Sequence, residues 1–195
     1  MEAGIRKVTV DDEGAVALTL AKAFHDDPVM AILFGGSVPQ PAATRFFARM
    51  AHMQIPHGEV YATSGNEAAA VWAPPGRWKV PNVEIAKNTP AFLRIFGLRF
   101  VANLSILMLL EKNHPEEPHY YLEFLGTDPA HQGHGLGSAL MQPMIDRCDR
   151  EGLGAYLESS KEANLGFYGR FGFEVTKIIN HKAGVPQWLM WRDPR

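Results

Sequence analysis

A glycine-rich turn between Gln132 and Ser138 is the part of the sequence best suited to bind a ligand. It reads Gln-Gly-His-Gly-Leu-Gly-Ser and joins a predicted strand, Tyr120–Thr127, to a predicted helix that begins near Leu136. The first N–H groups of a helix lack intrahelical partners, and the helix dipole makes that end positive. Glycines leave the backbone bare, so a diphosphate can accept several of these N–H bonds. The pattern predicts an anion cradle, because a simple tight turn would need only one glycine.

Two other phosphate-binding loops fit the sequence less well. A P-loop needs a lysine before Ser or Thr, and the turn contains none. A dinucleotide-binding fingerprint nearly fits Gly133, Gly135 and Ser138, with Glu158 at the end of the next strand as a ribose-binding acid. Only about two further strands follow Glu158, which is too few for a doubly wound sheet. A nicotinamide-dinucleotide protein therefore stays a weaker alternative.

Two motifs in the C-terminal half together resemble those of the GCN5-related N-acetyltransferases, the GNAT superfamily. Gln132 to Gly137 is similar to the Gln/Arg-x-x-Gly-x-Gly/Ala signature of that superfamily, and Thr-Asp-Pro stands before it where Val-Asp-Pro is usual. Asn164 to Phe173 is similar to the second motif, an Asn followed by a Tyr and a Gly-Phe. Further stretches, among them EEPHYYLEFLG and GVPQWLMWR, resemble the puromycin N-acetyltransferase group. That group is broad, so the likeness does not assign puromycin as the substrate.

The resemblance implies that acetyl-CoA is the cosubstrate and that the acetyl group passes directly to a primary amine of a small molecule in a ternary complex. The glycine turn would hold the pyrophosphate, and the exposed backbone that precedes it would pair with the pantetheine arm as an added strand would. The predicted cofactor-binding residues are Leu125, Gly126, Thr127, Gln132, Gly133, His134, Gly135, Leu136, Gly137, Ser138, Asn164, Phe167, Tyr168 and Arg170.

Two groups are predicted to stabilise the transition state and the leaving group. The thioester oxygen needs an N–H donor as negative charge develops on it, and the Leu125 amide is the candidate. Tyr168 matches the general acid of the superfamily, and its O–H can protonate the departing thiolate. The alternative for Tyr168 is core packing, because the surrounding FYGRFGF segment is rich in aromatic residues.

A carboxylate is predicted to remove the proton of the amine. Side chains alternate along a strand, so His119, Tyr121, Glu123 and Leu125 are expected on one face of β-strand 119–125. In the superfamily that strand often presents a carboxylate to the acceptor, and Glu123 is the candidate base. Its alternatives are a charge pair or a solvated strand position, and Glu158 is the rival base.

Other reactive side chains are predicted to be inert. No pair of histidines combines with a carboxylate at metal-ligand spacing, so no metal site is expected. His131 and His134 are interpreted as loop histidines. Cys148, the single cysteine, shares a helical face with Leu140 and Met144, which predicts a buried thiol. One cysteine cannot form an internal disulfide, consistent with a cytoplasmic location.

The composition of the chain argues against nucleic-acid and membrane partners. The 195 residues carry a net charge of -2 without a basic run, and the N-terminal sequence does not resemble a signal peptide. The most apolar stretch, Phe92 to Leu110, is interrupted by Arg94, Arg99 and Asn103. Its apolar pieces are shorter than the ~20 residues of a membrane span. We expect one buried helix there, or the wall of an apolar pocket.

The predicted elements follow the order β-α-α-β-β-α-β-α-β-α-β-β, an α/β domain. With the resemblance, this predicts a single-domain GNAT-like fold over residues 1–195, a mixed central sheet of about seven strands flanked by helices. The acetyl-CoA cleft is expected between strands Tyr120–Thr127 and Ala155–Glu158. Residues 1–118 would serve mainly the acceptor, 119–177 would bind acetyl-CoA, and 178–195 would form a C-terminal hairpin. A kink or a locally lost hydrogen bond is expected at Pro143, inside a helix.

Two functional questions stay open at the level of sequence. A catalytically silent CoA-binding sensor or partner module is the alternative to an enzyme. The acceptor pocket is expected to be built from the N-terminal helices, DDPVMAILF, Phe92–Leu110 and the C-terminal hairpin. These segments are rich in Phe, Met, Leu and Trp, which favours a partly apolar, antibiotic-like amine over a polycation. The identity of the amine, the use of other acyl groups and the formation of a homodimer are not determined by the sequence.

Overall fold

The computed structural model describes residues 4–79, 81–181 and 184–195, apart from the side chain of Asn82. The strands are β1 (Ile5–Lys7), β2 (Val60–Thr63), β3 (Ala68–Ala73), β4 (His119–Thr127), β5 (Gly154–Ser159), β6 (Glu174–Asn180) and β7 (Pro186–Arg192). The α-helices are α1 (Glu13–Ala23), α2 (Pro28–Phe34), α3 (Gln40–Gln54), α4 (Asn82–Phe96), α5 (Arg99–Asn113), α6 (Leu136–Glu151) and α7 (Leu165–Gly169).

The strands form one mixed sheet, which confirms the predicted α/β fold. Its seven strands lie in the order β1-β2-β3-β4-β5-β7-β6. Every neighbouring pair is antiparallel except β4 and β5, which run parallel in the centre. Parallel neighbours need a crossover connection, and α6 supplies it between β4 and β5. The single parallel pair therefore lies where the predicted cleft was expected.

Helices cover both faces of the sheet, and the fully apolar sequence of β3 reflects this. Successive side chains of a strand point to opposite faces. Ala70 and Trp72 pack in one cluster with Leu140 and Met144 of α6. Their neighbours in β3 pack in a second cluster with α1 and α3, whose members include Val16, Leu20, Phe47, Ala69 and Val71. Burial on both faces explains why β3 carries no polar side chain.

Helix α2 was missing from the predicted order, although its start is encoded locally. Asp27 caps the helix, with its carboxylate accepting a hydrogen bond of 2.8 Å from the Met30 N–H. Pro28 occupies the first turn, where the missing N–H of proline costs nothing. The helix ends at Gly35, whose φ of 91° is the left-handed conformation of a helix terminus. Helix α1 already ends at Ala23, so the prediction that Pro28 stops this helix was wrong, and Pro28 begins the next helix instead.

The expectation of one buried helix over Phe92 to Leu110 was wrong. The segment contains the end of α4 and most of α5, separated at Gly97, which adopts a φ of 57°. Much of its apolar surface is exposed, with Leu98 at 93% and Met108 at 69%. Only one side of α5 is covered, through buried residues such as Ile106. Within the described part of the chain, no helix is long and apolar enough to cross a membrane.

Helix α6 continues through Pro143, and each end carries a glycine in the left-handed region. Gly135 at the N-terminus has a φ of 77°, and Gly152 at the C-terminus has a φ of 66°. Leu140, Met144 and Cys148 are buried on one face, as the spacing predicted. Burial raises the pKa of the Cys148 thiol to about 12, which makes the thiolate scarce at neutral pH.

Candidate active site

A cleft opens in the centre of the sheet where β4 and β5 separate. Their parallel pairing runs from His119 with Gly154 to Leu122 with Leu157 and then stops. Beyond this point β4 continues to Thr127 along β3, so its other edge has no strand partner. A cavity of about 180 Å³ lies in the gap. Its position agrees with the cleft predicted between residues 120–127 and 155–158.

A β-bulge at Glu123 re-aims the side chains at the mouth of the cleft. In the register with β3, Val71 faces Phe124 and Trp72 faces Leu122, so Glu123 is the extra residue. Phe124 consequently packs with the α1 and α3 cluster, whereas Leu125 packs against the α6 cluster. The predicted common face for Glu123 and Leu125 was therefore wrong. An inserted residue breaks the period of two on which that prediction depended.

The peptide groups of Leu125 and Thr127 face the gap. The Asp128 N–H donates to the Glu67 carbonyl at 2.8 Å. In an antiparallel ladder, residues that bond to the partner alternate with residues that do not. Counting back from Asp128, Gly126 bonds to β3, while Leu125 and Thr127 direct their N–H and C=O groups away from it. Gln132 agrees with this count, because its side-chain amide donates to the Thr127 carbonyl at 3.3 Å.

Gly126 is required by packing as well as by the cleft. A Cβ atom at this position would lie 2.7 Å from the Ala23 Cβ and 3.0 Å from the Leu20 Cδ2. Both neighbours belong to α1, which crosses closely over β4 at this point. Gly126 lines the cavity, but the alternation assigns its peptide groups to the ladder with β3.

The glycine turn leads directly from the cleft into α6. Gln132 lines the cavity, and Gly133 and Gly135 follow with φ angles of 80° and 77°. A Cβ at either glycine would meet no atom of the protein within 4 Å, so the turn is open on its outer side. Gly137 differs, because a Cβ there would lie 3.4 Å from the Phe167 ring. This contact joins the N-terminus of α6 to α7.

Tyr168 projects from α7 into the cavity. It is half-buried, and burial, followed by the negative charge of Asp27, raises the pKa of its hydroxyl above the ordinary value of 10.0. A hydroxyl with a raised pKa keeps its proton and can donate it. Asn164, one turn earlier, also lines the cavity. Arg170 lies over the Phe167 ring at 5.3 Å and is exposed.

Glu123 is held at the cleft by Gln54, the last residue of α3. The Gln54 side-chain amide donates to Glu123 Oε1 at 2.7 Å. Among the described residues, Glu123 Oε2 is buried without a hydrogen-bond partner. Burial, with a smaller contribution from the charge of Glu158, raises the pKa of Glu123 to about 8. A carboxyl group with this pKa exchanges its proton close to neutral pH.

Glu158 lines the same cavity from β5. The Tyr121 hydroxyl donates to Glu158 Oε2 at 2.5 Å. The second oxygen, Oε1, lies 3.8 Å from His114 Nδ1 and has no hydrogen-bond partner among the described residues. Two buried carboxylates, one from each separated strand, therefore flank the cleft.

The structure brings part of the predicted site together around the cavity. The predicted residues that line it are Glu123, Leu125, Gly126, Thr127, Gln132, Asn164 and Tyr168, together with the rival base Glu158. Gly133 to Ser138, Phe167 and Arg170 do not line the cavity and lie on the adjoining turn and helices. The Phe92–Leu110 segment and the C-terminal hairpin, expected around the acceptor, do not line it either.

Sequence reasoning missed three polar residues around the cleft. Asp27 lines the cavity and accepts a hydrogen bond from the Ser160 hydroxyl. Gln54 and His114 contact the two carboxylates from α3 and from the loop after α5. The Asp-Pro cap signal could have drawn attention to Asp27, whereas the other two depend on contacts distant in sequence. No group of three or more metal-ligating side chains is present among the residues described.

Comparisons with known proteins agree with this fold. The Acetyltransferase (GNAT) family model matches residues 96–173, a range that includes β4, the glycine turn and Tyr168. An uncharacterised N-acetyltransferase of Schizosaccharomyces pombe is 28% identical over 210 residues, covering 97% of this chain and 83% of that protein.

Solved structures share the fold over nearly the whole chain. The structure of histone acetyltransferase HPA2 and related acetyltransferase from Corynebacterium glutamicum has a TM-score of 0.71 at 24% identity, covering 100% of this chain and 98% of that chain. Drosophila melanogaster polyamine N-acetyltransferase has a TM-score of 0.66 at 17% identity, covering 96% and 97%. The chain has the GNAT fold, and the family match and the yeast relative support an acetyltransferase of the GNAT superfamily.

Proposed function

We propose that this protein is an N-acetyltransferase that moves the acetyl group of acetyl-CoA directly to a primary amine of a small molecule. GNAT acetyltransferases use acetyl-CoA as the donor. The observation that carries the proposal is the separation of β4 from β5, which leaves the peptide groups of Leu125 and the Thr127 N–H without a strand partner beside two buried carboxylates and Tyr168. Such a gap supports direct transfer in a ternary complex, since donor-binding and proton-accepting groups share one cavity.

The residues of the cleft and the turn fit an extended donor with a diphosphate. The unpaired N–H and C=O groups of β4 suit the amide-containing arm of CoA, which would add to the free strand edge. The open turn at Gly133 and Gly135 leaves room for a diphosphate at the positive end of α6. Acetyl-CoA, when bound, supplies an activated thioester. His134, Leu136, Gly137 and Ser138 would complete the cradle, with Phe167 and Arg170 beside it.

The Leu125 N–H is proposed to stabilise the oxygen of the reacting carbonyl. It faces the gap and has no partner on β3, so it is free to donate as negative charge develops. Tyr168 is proposed to give its proton to the leaving thiolate. The hydroxyl keeps that proton at neutral pH because burial and Asp27 raise its pKa. Both residues line the same cavity.

The proton of the amine is proposed to pass to a buried carboxylate. Glu123 offers an unpartnered Oε2 and a pKa of about 8, close to the pH at which it would work. Glu158 offers an Oε1 without a hydrogen-bond partner among the described residues, and His114 Nδ1 lies 3.8 Å from this oxygen. Each of these oxygens can also accept a hydrogen bond from an ammonium group in the cleft, because each lacks a donor among the described residues.

The acceptor is proposed to be a small amine with an apolar part. Ala23 at the end of α1, Phe24 after it and Phe124 of β4 line the cavity together with the carboxylates. The likeness to the puromycin N-acetyltransferase group supports an antibiotic-like amine. We propose a cytoplasmic location, where a single unpaired cysteine stays reduced.

The test is release of the CoA thiol in the presence of acetyl-CoA and a panel of amines. Wild type should turn over at least one amine, and Tyr168→Phe should lose about 100-fold or more in kcat while binding acetyl-CoA unchanged. Tyr61→Phe is the matched control, because Tyr61 donates to Glu59 away from the cleft. Tight binding of acetyl-CoA without turnover of any amine would instead indicate a silent CoA-binding sensor. A shift of the melting temperature by NAD alone would indicate a dinucleotide protein.

A further inference from the structure

A chain of buried polar groups leads from the cleft to the loop before β4. Glu158 Oε1 lies 3.8 Å from His114 Nδ1. His114 Nε2 lies 3.0 Å from His119 Nε2, and His119 Nδ1 lies 2.6 Å from the Glu117 carbonyl oxygen. His114 and His119 are 9% and 1% exposed, so few other groups can satisfy their ring nitrogens. The Glu117 residue at the far end is exposed.

The contacts determine which nitrogen of each neutral ring carries the hydrogen. A carbonyl oxygen can only accept, so His119 must donate from Nδ1 to Glu117. His119 Nε2 then has a bare lone pair and accepts from His114 Nε2. Burial lowers the pKa of His119, which favours this neutral form. His114 Nδ1 is consequently left without a hydrogen.

Two acceptors therefore face each other at the cleft. His114 Nδ1 presents a lone pair to Glu158 Oε1, and this oxygen has no donor among the described residues. Facing lone pairs repel, and a proton on His114 Nδ1 turns the repulsion into the attraction of an imidazolium for a carboxylate across 3.8 Å. The other oxygen of Glu158 is already occupied, because Tyr121 donates to it. The geometry thus creates a position for a single proton.

Aromatic rings enclose the His114 imidazole. The Trp78 ring stacks on His114 with 3.8 Å between centroids and 21° between planes, and an aromatic face attracts a cation. Tyr121 of β4 and Tyr156 of β5 contact the imidazole edge-on, and burial raises the pKa of both hydroxyls, so they stay neutral. The neighbouring titratable side chains are Glu158 itself, Glu123, whose pKa the charge of Glu158 raises, and Lys177 of β6, which donates to Asn113 Oδ1 at 2.6 Å.

We propose that Glu158 and His114 together accept the proton that the acceptor ammonium releases, and that His119 is a positioning residue which keeps His114 Nδ1 bare. This inference rests on the proposed function. An N–H bond of the ammonium breaks, the proton binds between Glu158 and His114, and the freed nitrogen lone pair forms the bond to the acetyl carbon. The C–S bond breaks and the thiolate takes the proton of Tyr168.

The protons balance over one turnover. After the new C–N bond forms, the nitrogen gives up a second proton, which restores the hydroxyl of Tyr168. One proton stays on the Glu158–His114 pair, and it leaves to solvent before the next cycle. The exposed loop at Glu117 provides the end of the buried chain that is closest to solvent.

The first experiment measures whether His114 binds a proton in the absence of any substrate. Trp78 fluorescence, taken as the difference between wild type and Trp78→Phe, should change with pH as the stacked imidazole gains its proton. The fluorescence change should vanish in His114→Gln. It should persist in the control variant His52→Gln, because His52 pairs with Glu13 on the surface. A difference signal that does not titrate, or that persists unchanged in His114→Gln, would overturn the inference.

The second experiment measures turnover against pH with an amine that wild type acetylates. His114→Gln should lower kcat/KM about 100-fold and displace the acidic limb of its pH profile, with acetyl-CoA binding unchanged. His119→Gln should displace the acidic limb with a smaller loss of kcat/KM, because His119 acts only by keeping His114 Nδ1 bare. An unchanged profile in His114→Gln, beside an impaired Tyr168→Phe, would refute the relay and leave the proposed function standing.

Two further measurements keep the outcomes separate. Circular dichroism and acetyl-CoA binding report whether each variant is folded, and Glu158→Gln replaces His114→Gln in both experiments if the latter does not fold. If wild type acetylates no amine, the proposed function fails, and the Trp78 titration still decides whether the pair binds a proton. A titration that is absent there as well would sink both ideas.

Discussion

Replacing Glu123 with Gln should change the way in which stability depends on pH. Burial raises the pKa of Glu123 from 4.5 to about 8, and the hydrogen bond from Gln54 opposes this only in part. Between these values the folded protein keeps a proton that the unfolded chain has released. The native state then binds more protons than the unfolded state, so the free energy of unfolding falls as pH rises.

The magnitude follows from the difference between the two pKa values. At ~1.36 kcal/mol per pKa unit, the interval from 4.5 to about 8 corresponds to about 5 kcal/mol. A pH series that starts at about pH 6 covers only the interval from there to the folded pKa of about 8. Between about pH 6 and about pH 9 the free energy of unfolding of wild type should therefore lose about 3 kcal/mol through Glu123. The Glu123→Gln variant has no proton to release, and its stability relative to wild type should therefore rise by this amount.

The assay is urea denaturation of both proteins across this pH series, without acetyl-CoA. Asp12→Asn is the control, because the Arg6 guanidinium holds the pKa of Asp12 below its usual range. The stabilising effect of Asp12 is complete above its unfolded pKa and is lost only as the pH falls toward its lower folded value. Its difference from wild type should stay constant in this series. A constant difference for Glu123→Gln as well would refute the proposed burial of a protonated carboxyl group.

Three further predictions concern the turn, the packing of β4 and the cysteine. Gly135→Ala and Gly152→Ala should each lower the free energy of unfolding by about 1–2 kcal/mol, since both force a side chain into the left-handed region at an end of α6. Calorimetry should find weaker acetyl-CoA binding only for Gly135→Ala, and equal affinities of the two variants would argue against the cradle. Gly126→Ala should destabilise the fold by about 1–3 kcal/mol in urea because its Cβ would meet Ala23 at 2.7 Å, and an unchanged midpoint would contradict the close packing of α1. Cys148, which is 0% exposed, should react with a thiol reagent only at the rate of unfolding, and immediate reaction of the native protein would contradict its burial.

Local sequence signals were sufficient for most of the architecture. The period of two in the strands and the spacing of apolar residues in α6 predicted their types, because these patterns report which faces are covered. The expected α/β sheet and its cleft are confirmed. Helix α2 and the division at Gly97 were missed, since a short helix and a break inside an apolar run produce little periodicity.

The bulge at Glu123 shows why the site was harder to predict than the sheet. A period of two placed Glu123 and Leu125 on one face, and one extra residue opposite β3 reversed that relation. The bulge depends on the register with a strand about fifty residues earlier in the chain, for which the sequence of β4 carries no local signal. It moves Glu123 toward Gln54 and leaves Leu125 on the side of α6.

The sequence by itself predicted which elements would bind the donor, because the chemistry of those elements is local. The end of an apolar strand, the bare glycines that follow it and an Asn–Tyr segment would act through backbone conformation and neighbouring residues. The tertiary structure alone decided which groups surround the two carboxylates. Gln54 and His114 reach the carboxylates across the fold, and burial changes the pKa of Glu123 only once those elements have packed around it.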